Sequence, residues 1–231
     1  MPAAPWRWRL GWHELAFLHY RVRAEAIQRL LPPGLKVQEF DGTGWVGIVP
    51  FRMTDVAYRN WPAAPTLRSF PEVNLRTYVE GGGRPGVWFF SLDADSMAMA
   101  LGGRWAAGLP YFRSSIQMKN TRGTFDCESR RRHEGVRYAG SYRPVGATLA
   151  AEAGSLAHWA TERYCLYARR RGRLVRQEVH HAPWPLQAAE ADVRVNELTA
   201  WAGIELLSDA PIVHYSPGVE VVAWAPEEVA G

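Results

Sequence analysis

Lysine is close to absent from this chain. All but two of its 27 basic residues are Arg, the exceptions being Lys36 and Lys119. Chemistry through a neutral amine therefore has those two side chains and the N-terminus to draw on. Cysteine is equally scarce. Cys127 and Cys165 are the only two, and neither sits in a CxxC or Cys/His cluster, which argues against a structural zinc site. No run approaches the roughly 20 apolar residues of a membrane span. The opening MPAAPWRWRLGW lacks the apolar core of a secretion signal. These absences lead us to expect a soluble, cytoplasmic protein with reduced thiols, no membrane contact and no bound metal. The nucleotide, zinc-protease and serine-hydrolase signatures are also missing. There is no P-loop, HExxH or GxSxG, and Gly81-Gly82-Gly83 falls in a turn instead of opening a helix. No cofactor is expected.

What the chain does have is Trp and apolar bulk. Its 231 residues, 47% hydrophobic with 11 Trp, are enough for one domain spanning residues 1–231 with a sizeable core. Trp has a large apolar face and an N–H that needs a partner, so it gathers at cores, interfaces and ligand walls. The net charge of +4 is too small to define a polyanion-binding protein. The two basic runs, Arg130-Arg131-Arg132-His133 and Arg169-Arg170-Arg171-Gly172-Arg173, read as solvated turns beside strands. A nucleic-acid face would need a broader basic surface with interleaved aromatics.

The most informative stretch is FPEVNLRTYV at residues 70–79. Val73, Leu75, Thr77 and Val79 alternate strictly with Glu72, Asn74, Arg76 and Tyr78, which marks a strand with two chemically different faces. The glycine-rich turn that follows, and the return through Val87–Leu92, make this a hairpin. A helix is expected over Arg23–Leu31, stopped by Pro32-Pro33-Gly34. Strands follow at Leu35–Phe40 and Trp45–Met53. Asp95 or Ser96 caps a short helix from Met97 to about Trp105, ended by Gly108. Further strands are read at Tyr111–Lys119, Thr124–Arg131, Val136–Tyr142, Tyr164–Ala168, Leu174–His180 and Val219–Trp224, with a short helix beginning near Ser155. Many short strands and few helices predict a mainly β (α+β) protein, an antiparallel sheet closed or nearly closed into a barrel.

If the sheet closes, the Glu72–Asn74–Arg76 row faces a lumen. A carboxylate and a guanidinium there must pair with each other or meet a ligand, because an isolated buried charge is very costly. The ordinary alternative is a cross-strand ion-pair network or a solvated face. Around the row, Arg104 at the end of the short helix and Tyr111 at the start of a strand are candidate ligand contacts. So are His13 near the first strand and His180 in the string His180-His181-Ala182-Pro183-Trp184. Adjacent His residues on a strand point to opposite faces and cannot readily share a metal. His13, His19 and the segment Glu162-Arg163-Tyr164 also admit bland readings as hydrogen-bonded His and a local ion pair.

The segments PEVNLRTYV (71–79), GVWFFSLDA (86–94), GLPYF (108–112), TERYCLY (161–167) and VHHAPWPL (179–186) together resemble the YqjF-like family of uncharacterised bacterial proteins. That family is similar to the acetoacetate decarboxylase-like superfamily. The resemblance implies a cone-shaped antiparallel β-barrel with a central cavity and a few flanking helices. It also places Glu72 at the decarboxylases' active-site glutamate, and Gly103-Arg104 followed by Pro110 at their Gly-Arg…Pro-Lys segment. The departures carry as much weight. Where the decarboxylases have a Schiff-base lysine, activated near another cation, this chain has Tyr111. A phenol cannot form an imine. The decarboxylases' substrate-binding Arg falls on His13, and their second glutamate falls in Gly47-Ile48-Val49. Lys119 lies eight residues beyond Tyr111, about 26 Å along a strand, too far to substitute.

The expected function is binding of a small organic ligand, anionic or carbonyl-bearing, in a central cavity. Glu72 would be an acid/base with Tyr111 beside it, and Asn74, Arg76, Arg104, His13 and His180 would be ligand contacts, giving lyase-, isomerase- or hydratase-type chemistry without a covalent amine. The alternative is a non-catalytic ligand sensor or scaffold on the same fold. Exposed strand edges and the Trp content leave self-association into a homo-oligomer open.

Overall fold

The computed structural model describes residues 1–229. Thirteen strands form one sheet: β1 (Trp8–Val22), β2 (Lys36–Val37), β3 (Gly44–Tyr58), β4 (Ser69–Gly81), β5 (Arg84–Ala94), β6 (Tyr111–Thr121), β7 (Thr124–Arg131), β8 (Arg137–Ala150), β9 (Cys165–Arg170), β10 (Arg173–His181), β11 (Pro185–Asn196), β12 (Ile212–Ala223) and β13 (Glu227–Glu228). Four short helices flank it: α1 (Ala24–Leu30), α2 (Met97–Ala107), α3 (Leu156–Thr161) and α4 (Leu198–Trp201). None of these is long and apolar enough to cross a membrane.

The sheet closes on itself by two circuits that share one wall. Strands β12, β1, β3, β4 and β5 lie side by side, all antiparallel. The two outer strands of this wall each change partner partway along their free edge. On β5, Val87 and Trp88 pair with β9, whereas Leu92–Ala94 pair with β6, both in parallel. On β12, Val221–Ala223 pair with β10, whereas His214 and Tyr215 pair with β11. One circuit therefore runs through β9 and β10, and the other through β6, β7, β8 and β11. The fold is the mainly β, closed-sheet one expected, but with two parallel joints and two buried interiors.

Because both faces of the wall are buried, its strands separate side chains into two cores. Phe17, Trp45, Phe51, Tyr78, Tyr111 and Trp184 belong to the first. Leu18, Ile48, Leu75, Ile116, Tyr138 and Tyr142 belong to the second. We call the two interiors the first and second chambers. Strand β1 crosses between parities. Trp8, Leu10 and Trp12 pack on the first core, and beyond Glu14 it is Leu15 and Phe17 that do so. Glu14 has φ 56° and lies in a break of the β1–β3 register. Such a bulge adds one residue and moves every later side chain to the other face.

The local punctuation acts as its chemistry dictates. Gly82 (φ 54°) and Gly83 (φ 73°) supply the two left-handed residues that a tight β4–β5 hairpin needs. The Ser96 hydroxyl accepts from the Met99 N–H at 3.2 Å, and Gly108, at φ 72°, closes α2. Some expected boundaries move. The strand expected over Leu35–Phe40 is only Lys36–Val37, and the last long strand starts at Ile212 instead of Val219. Strand β11 and helix α4 were not anticipated. The run Ala189–Val195 alternates half-buried Ala and Val with exposed charged residues, because β11 is covered on one face only.

Candidate functional site

Glu72, Asn74 and Arg76 lie on the first-chamber face of β4. They share parity with Phe70 and Tyr78, both part of that core. Their cross-strand neighbours are Phe51 and Ala94 for Glu72, Val49 and Leu92 for Asn74, and Gly47 and Phe89 for Arg76. Directly opposed residues in a sheet share a face, so the polar row is enclosed by apolar side chains. Glu72 is 1% exposed and Asn74 5%. Neither Glu72 nor Arg76 takes part in an ion pair among the described residues. The cross-strand ion-pair account of the row is thus replaced by something less usual. Three buried polar atoms, Oε2 of Glu72, Oδ1 of Asn74 and Nε of Arg76, have no hydrogen-bond partner. Nearly all buried polar groups are paired, so three orphans in consecutive inward positions mark a place prepared for something else.

At one end of the row Glu72 meets Tyr111, the first residue of β6. The Tyr111 phenol lies beside the Glu72 carboxyl, in reach of a side-chain hydrogen bond. Tyr111 reaches this position because α2 passes close above it. A Cβ on Gly103 would stand 2.5 Å from the Tyr111 ring, so only glycine admits this approach. Burial raises the Glu72 pKa from 4.5 to about 8, against the lowering effect of the Tyr111 hydrogen bond. Asp93, on the opposite face of the neighbouring strand, adds a smaller push in the same direction. Burial, and then the nearby Glu72 carboxyl, push the Tyr111 phenol well above its ordinary value. At neutral pH Glu72 is a protonated acid able to donate a hydrogen bond or a proton.

At the other end Arg76 lies among aromatic rings. Its guanidinium carbon is 5.3 Å from the Phe17 ring centre and 5.7 Å from that of Tyr78, and Nη2 donates to the Ala160 carbonyl at 3.3 Å. Gly47 makes the room, since a Cβ there would stand 3.0 Å from the Tyr78 hydroxyl and 3.6 Å from Arg76. His19 of β1 completes this end. Its Nδ1 is 3.0 Å from the Tyr78 hydroxyl, and its Nε2 is buried with no partner. Burial, then His214 and Arg76, push the His19 pKa well below 6.5, so this imidazole is neutral. The surrounding wall is aromatic: Trp184 packs edge-on against Phe17 at 5.1 Å, and Trp159 lies 4.7 Å from Tyr78.

The seven expected site residues are not treated alike by the fold. Glu72, Tyr111, Asn74 and Arg76 come together on the first-chamber side. Arg104 is exposed, its guanidinium 6.0 Å from the Phe112 ring on the outer side of α2. His13 lies at the surface, 3.4 Å from an exposed Glu220, because the bulge at Glu14 gives it the opposite parity to Leu15 and Phe17. Of the two adjacent histidines it is His181 that points inward, 3% exposed and 5.0 Å from the Trp184 ring, while His180 is exposed. His19, which by sequence alone admits a structural reading, lines the chamber with one ring nitrogen unpartnered. The signal that would have found it is its i+2 spacing from Phe17 once the bulge is recognised. Glu162 and Arg163 form no local ion pair. Glu162 takes the Tyr164 hydroxyl and the Trp184 N–H, and Arg163 stacks on Trp159. Lys36 and Lys119 are both exposed, so neither amine enters the chamber. No group of three or more His, Cys, Asp or Glu with metal-site geometry occurs among the described residues.

The fold defines the class: this is an acetoacetate decarboxylase-like fold. Solved structures with this architecture include the enduracididine biosynthesis enzyme MppR, complexed with the condensation product of pyruvate and imidazole 4-carboxaldehyde. Its TM-score is 0.73 and its identity 17%, with 98% of this chain and 90% of that one covered. Acetoacetate decarboxylase from Legionella pneumophila subsp. pneumophila str. Philadelphia 1 aligns at TM-score 0.70 and 15% identity, covering 100% and 92%. The chain itself belongs to the family DUF2071, described as "Uncharacterized conserved protein", whose model matches residues 9–220. A relative, "Uncharacterized protein YqjF" of Bacillus subtilis (strain 168), is 38% identical over 225 residues, 97% of this chain and 93% of that protein.

Proposed function

We propose that the first chamber binds a small organic ligand bearing a carboxylate or a carbonyl. The observation that carries this reading is the run of three unpartnered, buried polar atoms on Glu72, Asn74 and Arg76. The groups complement such a ligand. Arg76, with an unused Nε–H and a neutral His19 close by, accepts the anionic end. Glu72, protonated at neutral pH, donates to the carbonyl end, and the Tyr111 phenol holds the acid in place. With no amine in the chamber, a Schiff base has no nucleophile. Any turnover runs by proton transfer next to the carbonyl, Glu72 giving or taking the proton. Among the fold neighbours, MppR is described as complexed with pyruvate, which makes pyruvate a reasonable first probe. A non-catalytic sensor is the second reading, favoured by the exposure of both lysines.

The test is a thermal-shift screen of small oxo acids and carboxylates, pyruvate first, followed by NMR of the mixture. A rise in the melting temperature that Glu72→Met and Arg76→Met both remove supports the reading. No response from the folded wild-type protein to any compound of this class refutes it. Conversion in the NMR spectrum separates enzyme from sensor. A borohydride-trapped adduct on Lys36 or Lys119 would refute the amine-free chemistry.

A further inference from the structure

The second chamber contains a polar cluster that the proposed function does not use. Arg131 belongs to a basic run that reads as a solvated turn, yet its side chain is wholly buried, as is that of its partner Asp93. Its Nε donates to both Asp93 oxygens, at 2.9 and 3.0 Å. Its guanidinium carbon lies 4.0 Å from the Phe112 ring centre and 4.0 Å from that of Trp201. Those two rings meet at 80° with centres 5.2 Å apart, so the cation occupies an aromatic corner. The far edge of the guanidinium is different. Both Nη1 and Nη2 are buried and have no acceptor. Ser91 and Ser129, two residues from Asp93 and Arg131 on the same sheet face, bury hydroxyls that also lack partners.

The cluster is rich in donors and short of acceptors. A guanidinium carries five N–H groups and no acceptor, and only its Nε–H is used here. The one carboxylate present is already engaged on the Nε side. An unpaired charged donor in an apolar interior is very costly, and the cation–π contacts satisfy the faces of the group, not its N–H edge. Exposed Arg104, Arg113, Arg130 and Arg132 cluster in sequence and strand register around this end of the chamber, opposed by Glu134. The surrounding field therefore favours entry of a negative charge.

We propose that the Nη edge of Arg131 is the floor of a second binding site, distinct from the Glu72–Arg76 row, that takes a compact monoanion of halide or small-carboxylate size, with the Ser91 and Ser129 hydroxyls as supporting donors. Trp201, which is 41% exposed on the four-residue helix α4, forms the outer wall and is the point of access.

The test uses the full chain and one probe, sodium bromide. Crystals grown in bromide are expected to show an anomalous peak in contact with Nη1 or Nη2 of Arg131. A non-anomalous water in that position overturns the proposal. In solution, at constant ionic strength set with bulky gluconate, bromide is expected to raise the wild-type melting temperature by about 2–4 °C. Arg131→Lys and the double variant Ser91→Ala/Ser129→Ala should weaken that shift. A bromide shift retained in full by the double variant overturns the assignment. If Arg131→Lys fails to fold, the bromide crystal and the serine variant decide.

Discussion

Replacing Glu72 by Gln makes a sharp test of the buried carboxyl, because its effect must depend on pH in a stated direction. Gln matches the shape of the protonated acid and cannot ionise. In the folded chain Glu72 holds its proton up to about pH 8, whereas in the unfolded chain it releases it near 4.5. Between those values the folded state binds more protons than the unfolded one, so stability falls as pH rises. The shift from 4.5 to about 8 corresponds to a destabilisation of about 4 kcal/mol accumulated between pH 5 and pH 9, an upper figure because water entering the site reduces it. Glu72→Gln abolishes that slope. Denaturant unfolding at pH 5 should find variant and wild type within about 1 kcal/mol of each other. At pH 9 the variant should be more stable by up to about 4 kcal/mol. The same difference at both pH values, or a wild type that gains on the variant at high pH, would refute the claim that Glu72 is a buried acid neutral at pH 7.

His19 works at the other end of the pH scale. Its folded pKa lies below 6.5, so the unfolded chain takes up protons first and stability is lost as pH falls below 6.5. His19→Asn should flatten that limb of the stability–pH curve. Gly47→Ala adds a methyl 3.0 Å from the Tyr78 hydroxyl; it should keep the fold and reduce ligand-induced thermal shifts several-fold. Gly103→Ala, which drives a Cβ to 2.5 Å from the Tyr111 ring, should cost about 1–3 kcal/mol by denaturant unfolding. Lys119→Ala, on an exposed position, should change neither the stability, beyond about 0.5 kcal/mol, nor any ligand response.

Most of the local structure was legible in the chain. The strict alternation of FPEVNLRTYV identified β4 and the polar row on it. Gly82-Gly83, the Ser96 cap and the Gly108 stop placed the hairpin and α2, since each depends on backbone preferences within a few residues. Strand β1 was harder, because one extra residue at Glu14 breaks the alternation that makes a strand visible. That same bulge sends His13 to the surface and brings His19 inward. His180 and His181 show the limit of parity: alternation says that one faces in, and only the packing of Trp184 and Tyr164 decides which.

By itself the sequence determined what the site is made of and what it lacks. A carboxyl, an amide and a guanidinium alternate along one strand, and the residue after Pro110 is a phenol, because side-chain order along a strand is a local property. Only the tertiary structure decided that the sheet closes twice, that Arg131 leaves its basic turn for a buried aromatic corner, and that the polar row stays unpaired. Those outcomes depend on where β5 and β12 change partners, which brings together residues far apart in the chain, and burial there sets the charge state of Glu72.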